Sequence, residues 1–216
     1  MAIATVRTLS VRAPTHGRVL VRDVGSPKGL FVGFHGYKET AEIQMDRLTG
    51  VAGADQWTLV SAQGLNRFYS GQTQDVVAAW MTRQDREDAI RDNIDYIDNV
   101  IDHVRTGDEP VVFTGFSQGV AMAFRAAVRG RVRASGVIAV GGDVPPELLA
   151  DPASRFPRVL LIRGAADQWH TAKQLAADVA ALRARGDEPE ALIHDGGHEW
   201  TVDVTAAAGR FLAAVV

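Results

Sequence analysis

The sequence predicts an α/β fold with a mainly parallel sheet, an N-terminal antiparallel hairpin, and helices on both faces of the sheet. Strand-like and helix-like segments alternate along residues 29–215. The segments 29–34 and 111–114 are continuous apolar runs, which are typical of strands buried on both faces of a parallel sheet. Parallel strands joined by helices have right-handed crossovers, so we expect helices to cover both faces.

The elements follow in chain order. Thr5 to Arg12 and Arg18 to Val24 alternate apolar and polar residues around the turn at 14–17, which predicts the hairpin. Further strands are predicted at 29–34, 57–62, 111–114, 135–140, 158–163 and 190–194, and helices at 40–51, 86–104, 118–128, 171–185 and 200–215. Residues 63–85 have no clear pattern, and we expect a functional loop there. Because no linker or repeat divides the chain, we expect residues 1–216 to form a single domain.

The composition argues against several classes of protein. The 216 residues carry a net charge of −3 and no basic stripe, so we expect no nucleic-acid partner. The absence of cysteine excludes disulfides and thiolate catalysis. Neither a signal peptide nor an apolar run of transmembrane length is visible, so we expect a cytoplasmic protein outside the membrane. The acidic segment 85–102 has isoleucines at helical spacing, which predicts an amphipathic helix and no metal site.

The most informative segment is Gly115–Gly119, with the sequence GFSQG, between a predicted strand and a predicted helix. A sharp turn from strand to helix needs residues without a Cβ atom, which Gly115 and Gly119 supply. Ser117 then lies on a strained turn with its hydroxyl exposed. The helix directs its free N–H groups and its positive dipole end toward the same point. This arrangement predicts a serine nucleophile that attacks a carbonyl carbon.

A serine nucleophile needs a base for its proton and a carboxylate that orients the base. His198 is the predicted base, because it lies in a glycine-rich loop after the last predicted strand. Asp167 follows the strand at 158–163 and is the predicted acid, since it gives the chain order serine, aspartate, histidine. Asp195 and Asp143 remain alternatives for the acid.

The oxyanion formed during attack needs two preorganised donors. One is predicted to be the backbone N–H of Gln118, which directly follows the serine. The other is predicted to be the backbone N–H of Tyr37, in the loop after the strand at 29–34. Gly36 permits the turn that aims this N–H, and we expect His35 to hold the loop by hydrogen bonding.

With these residues the chain resembles the α/β-hydrolase superfamily, and within it the small carboxylesterase/phospholipase branch that includes the acyl-protein thioesterases. The resemblance spans nearly the whole chain and rests on His35-Gly36, GFSQG with Gln118 after the serine, Asp167, and Gly197-His198-Glu199. It implies a fold without a large cap domain. Two segments differ from the family pattern: Gln168-Trp169-His170 where an apolar residue and proline are common, and Gly36-Tyr37-Lys38 where a Gly-Leu-Gly-like loop is usual. Both line the mouth of the expected site and therefore bear on the substrate.

Together these observations predict a serine hydrolase that cleaves carboxylic or thio esters of small molecules through an acyl-enzyme, without a cofactor or metal, as a monomer or homodimer. A peptidase or acyltransferase using the same triad is an alternative, and so is a non-catalytic binding protein with this fold. Apolar and aromatic side chains suit the pocket for an acyl or aryl group. The candidates for this pocket are Leu65, Phe68, Trp80, Trp169 and Trp200.

Overall fold

The predicted alternation of strands and helices is present in a computed structural model, which describes residues 6–215 of the chain. The strands of this range are β1 (Val19–Arg22), β2 (Leu30–Phe34), β3 (Thr58–Ala62), β4 (Asn66–Ser70), β5 (Asp75–Ala79), β6 (Val111–Phe116), β7 (Gly136–Val140), β8 (Arg158–Gly164) and β9 (Glu190–His194). The α-helices are α1 (Ala41–Gly50), α2 (Arg86–Val104), α3 (Gln118–Arg129), α4 (Pro146–Ala150), α5 (Ala172–Ala184) and α6 (Val202–Ala213). Two short 3₁₀ turns lie at Ala54–Gln56 and Gly71–Thr73.

Local sequence explains where several helices begin. Thr40, Thr171 and Thr201 each precede a helix, and each side chain accepts a hydrogen bond from the backbone N–H three residues later. Such caps satisfy donors that have no partner within the helix. The helices α1, α2, α3, α5 and α6 accordingly lie within a residue or two of their predicted positions. The short α4 was not predicted, and its proline-rich start carries no clear periodicity.

Seven strands form one sheet in the order β1-β3-β2-β6-β7-β8-β9. All neighbouring pairs are parallel except β1 with β3. The register places Phe34 opposite Gly115 and Phe116 opposite Val140, so these strands end at the same edge of the sheet. The predicted α/β class with a mainly parallel sheet is therefore confirmed.

Helices cover the sheet on both faces, and alternate residues of each central strand face different cores. Val111 and Phe113 of β6 lie in a core with α2, α3 and α5, whereas Val112 lies in a core with α1 and α6. Since the central strands are buried on both faces, each of them reads as a continuous apolar run. The periodicity of the sequence thus reports burial on two sides.

The predicted N-terminal hairpin is not formed. Arg18 to Val24 contains β1, but residues 6–18 have no regular secondary structure, and Thr5 lies outside the described residues. β1 instead pairs antiparallel with β3, with Val19 opposite Ala62. The alternating pattern marked a strand correctly but carried no information about its partner. β3 offers a free strand edge to β1, and the backbone groups of β1 form their hydrogen bonds with that edge.

An antiparallel hairpin does occur in the segment 63–85, where a loop was expected. β4 and β5 pair there with Asn66 opposite Ala79. The hairpin is attached to the loop after β2, since the backbone N–H of Lys38 donates to the Ala78 carbonyl at 3.0 Å and that of Ala78 to Glu39 at 3.0 Å. It therefore borders the carboxyl edge of the sheet.

The helices within residues 6–215 include none that is both long enough and apolar enough to cross a bilayer.

Candidate active site

Ser117 lies on the turn between β6 and α3, where the backbone is strained. Its φ is 53° and its ψ is −119°, a left-handed φ that residues with side chains rarely adopt. Close packing imposes this turn. A Cβ on Gly119 would lie 2.1 Å from the carbonyl oxygen of Phe34, and a Cβ on Gly115 would lie 2.3 Å from that of Gly119. Glycine at both positions lets α3 begin directly against β2.

His198 and Asp167 are hydrogen-bonded to each other. The Nδ1 atom of His198 lies 2.8 Å from Oδ2 of Asp167. The other carboxylate oxygen of Asp167 accepts the backbone N–H groups of Trp169 at 2.8 Å and His170 at 2.9 Å. Burial raises the pKa of Asp167, but these hydrogen bonds and His198 outweigh it and hold the pKa below the ordinary value. Asp167 is therefore a charged acceptor at neutral pH, with its partner ring fixed as the Nδ1–H tautomer.

The loops that carry Asp167 and His198 are bonded to each other through their backbones. The N–H of Ala165 donates to the His194 carbonyl, and that of Ala166 to the Gly196 carbonyl, each at 2.8 Å. A Cβ on Gly164 would lie 2.2 Å from the carbonyl oxygen of Gly197, so the loop after β9 crosses directly over the end of β8. This contact sets the distance between acid and base.

Within the described residues, neither alternative acid forms a hydrogen bond with His198. Asp195 is exposed. Asp143 accepts a hydrogen bond from Gln174 Nε2 at 3.2 Å, and its Oδ1 lies 3.3 Å from Nε2 of His170. Of the three aspartates considered, Asp167 is the one whose side chain contacts His198.

Ser117 and His198 line one cavity of about 330 Å³ at the carboxyl edge of the sheet. Within residues 6–215 the Ser117 hydroxyl has no hydrogen-bonding partner. Because Nδ1 of His198 is held by Asp167, its other ring nitrogen is the free proton acceptor. The cavity brings together the predicted nucleophile and base, and the hydrogen bond to Asp167 joins the predicted acid to them.

His35 holds the predicted oxyanion loop. It is fully buried, its Nδ1 lies 2.7 Å from the Gly36 carbonyl oxygen, and its Nε2 accepts the backbone N–H of Gly64 at 3.0 Å. The imidazole therefore donates through Nδ1 and is neutral, which agrees with the lowering of its pKa by burial. Trp80 Nε1 donates to the His35 carbonyl oxygen at 2.9 Å. The backbone N–H of Tyr37, three residues after β2, takes no part in these bonds.

Gln118 has a second role that sequence reasoning missed. As the first residue of α3, its backbone N–H has no acceptor within the helix. Its side chain accepts the backbone N–H of Trp80 at 2.8 Å and donates to the Met81 carbonyl at 3.1 Å. The amide thus ties the segment after β5 to the start of α3. The amide supplies the acceptor and the donor through two separate atoms.

Three of the predicted substrate contacts lie away from the cavity. Trp80 is fully buried, with its ring centroid 5.2 Å from that of His35, so it belongs to the core beneath the loop. Leu65 lines a separate groove beside α2. Trp200 is half-buried against the core on the α6 side and donates to Thr205 Oγ1 at 3.0 Å. Sequence showed that these side chains were large and apolar but not which surface they covered.

The other two predicted contacts are placed differently. Trp169 is 81% exposed and lines the cavity next to His198. Phe68 lies on the hairpin, with its ring centroid 5.9 Å from that of Tyr37. Trp169 is therefore available to a ligand in the cavity, whereas Phe68 covers the predicted oxyanion loop.

Several site residues were not anticipated from sequence. Gly141 has a φ of 64°, and a Cβ there would lie 3.0 Å from Cε1 of His198 and 3.4 Å from Oδ2 of Asp167. The Phe116 ring packs on the His198 ring at 4.9 Å, and the Arg47 guanidinium lies 4.2 Å from the Phe116 ring. In the sequence, the pair Gly141-Gly142 directly after β7 was the feature that could have marked Gly141 as a site residue. No local signal marked Arg47.

One group of side chains could hold a metal ion. Ligand atoms of Asp143, His170 and Asp178 lie within 4.8 Å of one another, and His170 Nε2 is 3.3 Å and 3.8 Å from the two carboxylates. Within the described residues, neither ring nitrogen of His170 has a hydrogen-bonding partner. Asp178 also accepts the backbone N–H of Val144 at 3.0 Å, so the group joins α5 to the loop after β7.

Comparisons with known proteins identify a family for the chain. The model of the phospholipase/carboxylesterase family matches residues 21–215. Among solved structures, the chain is similar to esterase PE8, with 23% identity, a TM-score of 0.76, and coverage of 93% of this chain and 98% of that one. It is also similar to acyl-protein thioesterase 2 of Zea mays, with 19% identity, a TM-score of 0.73, and coverage of 93% and 99%. The carboxylesterase of Bacillus cereus gives 13% identity, a TM-score of 0.72, and coverage of 93% and 95%.

No curated protein sequence matches the chain significantly. The structural likenesses are all below 25% identity and establish the fold. The family match covers nearly the whole chain, including Ser117, Asp167 and His198. The chain therefore belongs to the phospholipase/carboxylesterase family and is a serine hydrolase of the carboxylesterase type.

Proposed function

We propose that the chain hydrolyses carboxylic or thio esters through an acyl-enzyme, with Ser117 as nucleophile, His198 as base and Asp167 as the acid that orients it. The observation that carries the proposal is the 2.8 Å contact between His198 Nδ1 and Asp167, in a site where His198 and the strained Ser117 share one cavity. A serine without these partners would be a poor nucleophile.

In the first half-reaction, Ser117 Oγ bonds to the carbonyl carbon while its proton moves to Nε2 of His198. The negative charge on the former carbonyl oxygen is stabilised by the backbone N–H groups of Gln118 and Tyr37, each contributing about 3 kcal/mol. The intermediate then expels the alcohol or thiol, which takes the proton from His198. The product is an ester of Ser117 with the acyl group.

In the second half-reaction, a water molecule gives a proton to His198 and bonds to the acyl carbon. The intermediate collapses by breaking the bond to Ser117 Oγ, which recovers its proton from His198. Asp167 stays ionised throughout, because its hydrogen bonds favour the charged form and it stabilises the imidazolium that forms twice per cycle. One ester and one water give one acid and one alcohol.

The proposal is tested by covalent labelling. A fluorophosphonate probe is expected to label the protein at Ser117, and p-nitrophenyl acetate is expected to give a burst of p-nitrophenol close to one per active site. Peptide mapping by mass spectrometry identifies the labelled residue. Ser117→Ala should abolish both signals, whereas Ser70→Ala, on the outer hairpin, should keep them. Labelling that persists in Ser117→Ala would overturn the assignment.

A further inference from the structure

Two arginines, one from α2 and one from α3, contribute to the wall of the cavity. Arg86 and Arg125 both line the cavity that contains Ser117. The Arg125 side chain is only 2% exposed, so its charge lies directly behind the wall. A buried guanidinium is costly unless it is paired with an anion. The carboxylates near these two arginines therefore determine whether an anionic ligand can bind at this wall.

Glu147 compensates Arg125. Its Oε1 atom lies 2.8 Å from Nε and 2.7 Å from a terminal nitrogen of Arg125. Burial raises the pKa of Glu147, but its own backbone N–H and Arg125 outweigh this and hold the pKa below the ordinary value. Glu147 is thus ionised at neutral pH, and its carboxylate is paired with Arg125.

Arg86 is left with weak compensation. Its nearest contact with Glu147 is 3.6 Å, and its hydrogen bond to Glu87, at 2.9 Å, is to a side chain that is 70% exposed. Pairs exposed to this degree contribute little, because water screens them. Two guanidinium groups therefore share the partly buried carboxylate of Glu147, and the less compensated charge is that of Arg86, which lines the cavity.

The position of Arg86 in its helix is also unfavourable for stability. Arg86 is the first residue of α2, where the helix dipole disfavours a cation, and the preceding Asp85 makes no side-chain cap. A residue that breaks a local rule without a structural gain is typical of a binding position. Asp143 also lines the cavity, but its carboxylate has partners of its own, Gln174 and His170.

We infer that the cavity binds an acyl group that carries a second carboxylate, which Arg86 receives with Arg125 behind it. The substrate class is the half-ester of a short dicarboxylic acid. A volume of about 330 Å³ lies at the small end of ligand sites and suits a short chain. The assignment to an acyl group rests on the proposed function, whereas the anion site itself can be tested by binding alone.

The test compares glutarate with valerate, which have five carbons each and differ by one carboxylate. Both are measured as competitive inhibitors of p-nitrophenyl acetate hydrolysis and by calorimetry. We expect glutarate to bind about tenfold more tightly. In turnover, monomethyl glutarate should exceed methyl valerate in kcat/KM by a similar factor. Equal binding of the two acids to the wild-type protein would overturn the inference.

Three variants locate the site. Arg86→Gln should remove the preference for glutarate and leave valerate unchanged. Arg91→Gln is the matched control on the same helix, because Arg91 is 66% exposed and does not line the cavity. Glu147→Gln removes the competing carboxylate and should tighten glutarate binding. A preference that survives Arg86→Gln would place the anion elsewhere and contradict the inference. If this variant does not fold, the wild-type comparison decides.

The outcomes separate the two proposals. Labelling of Ser117 with no preference for glutarate would leave the esterase proposal standing and reject the anion site. Tight, Arg86-dependent glutarate binding without labelling of Ser117 would do the reverse.

Discussion

At the scale of single residues, the geometry of the site depends on the hydrogen bonds of Asp167. Asp167 accepts two backbone N–H groups through one oxygen and His198 through the other. Because the first oxygen is fully engaged, the carboxylate cannot turn away from His198. Gly141 adds the remaining constraint, since any Cβ there would press on the contact between acid and base. The Asp167 loop therefore fixes the tautomer of His198.

Asp167→Asn is expected to lower kcat by on the order of a thousandfold, because an amide can donate to Nδ1 and so stabilise the wrong tautomer. The measurement is kcat and KM for p-nitrophenyl acetate, with thermal unfolding to verify the fold. Asp195→Asn is the matched control, because Asp195 is an exposed aspartate near the base, and it should keep near wild-type activity. If Asp195→Asn instead produced the large loss, Asp167 would not be the acid.

At the scale of elements, the turn between β6 and α3 works because α3 approaches the backbone of β2. The contact is made by Gly119, whose missing side chain leaves room for the carbonyl groups of Phe34 and His35. The Gln118 side chain adds hydrogen bonds from the same helix start to the segment after β5. The strand, the helix and the predicted oxyanion loop are thus held together around Ser117.

Gly119→Ala is expected to destabilise the protein by about 3 kcal/mol, since its Cβ would overlap backbone atoms that cannot move separately. Activity should fall as well, because Ser117 and the oxyanion loop would separate. Gly50→Ala, at the end of α1, is the control: a Cβ there meets nothing within 4 Å, so it should stabilise by about 0.5 kcal/mol. Urea unfolding measures both. Equal stability of Gly119→Ala and wild type would contradict the proposed close packing.

At the scale of the whole molecule, the sheet order brings separate parts of the chain to one edge. Five adjacent strands, β2, β6, β7, β8 and β9, end there and are followed in turn by the predicted oxyanion loop, Ser117, Gly141, Asp167 and His198. Glu39 connects this edge to α1 on one face of the sheet. It accepts the Gly36 N–H at 2.7 Å and pairs with Arg47 at 2.6 and 2.7 Å. The ionised form of Glu39 therefore stabilises both the loop beside the site and the folded protein.

Burial raises the pKa of Glu39, but Arg47 and the Gly36 N–H outweigh it and hold the pKa below its ordinary value of 4.5. A carboxyl with a depressed folded-state pKa stabilises the protein above its unfolded pKa, and this contribution is lost as the pH falls through the folded value. Glu39→Gln should therefore cost about 2 kcal/mol at neutral pH and progressively less in acid.

Urea unfolding followed by tryptophan fluorescence, from neutral pH to below the pKa of Glu39, measures this difference. Glu188→Gln, at a side chain that is 84% exposed, should change little at any pH. A deficit in Glu39→Gln that stays constant on acidification would show that the stabilisation does not depend on charge.

The sequence by itself determined most of the elements and the kinds of chemistry available. The helix at 86–104 matches α2 residue for residue, and the strand at 190–194 matches β9. These predictions succeeded because apolar periodicity and caps are local properties. The chain order of Ser117, Asp167 and His198 was equally visible, since loops after parallel strands all lie at one edge.

Only the tertiary structure decided which surfaces meet. It paired β1 with β3, formed a hairpin in 66–79, buried Trp80, and placed Arg86 and Arg125 beside the cavity. Each of these depends on contacts between residues far apart in the chain. Local periodicity indicates that a side chain is buried or that a strand is present. The element that packs against it depends on which distant strand edges and charged groups still lack a partner.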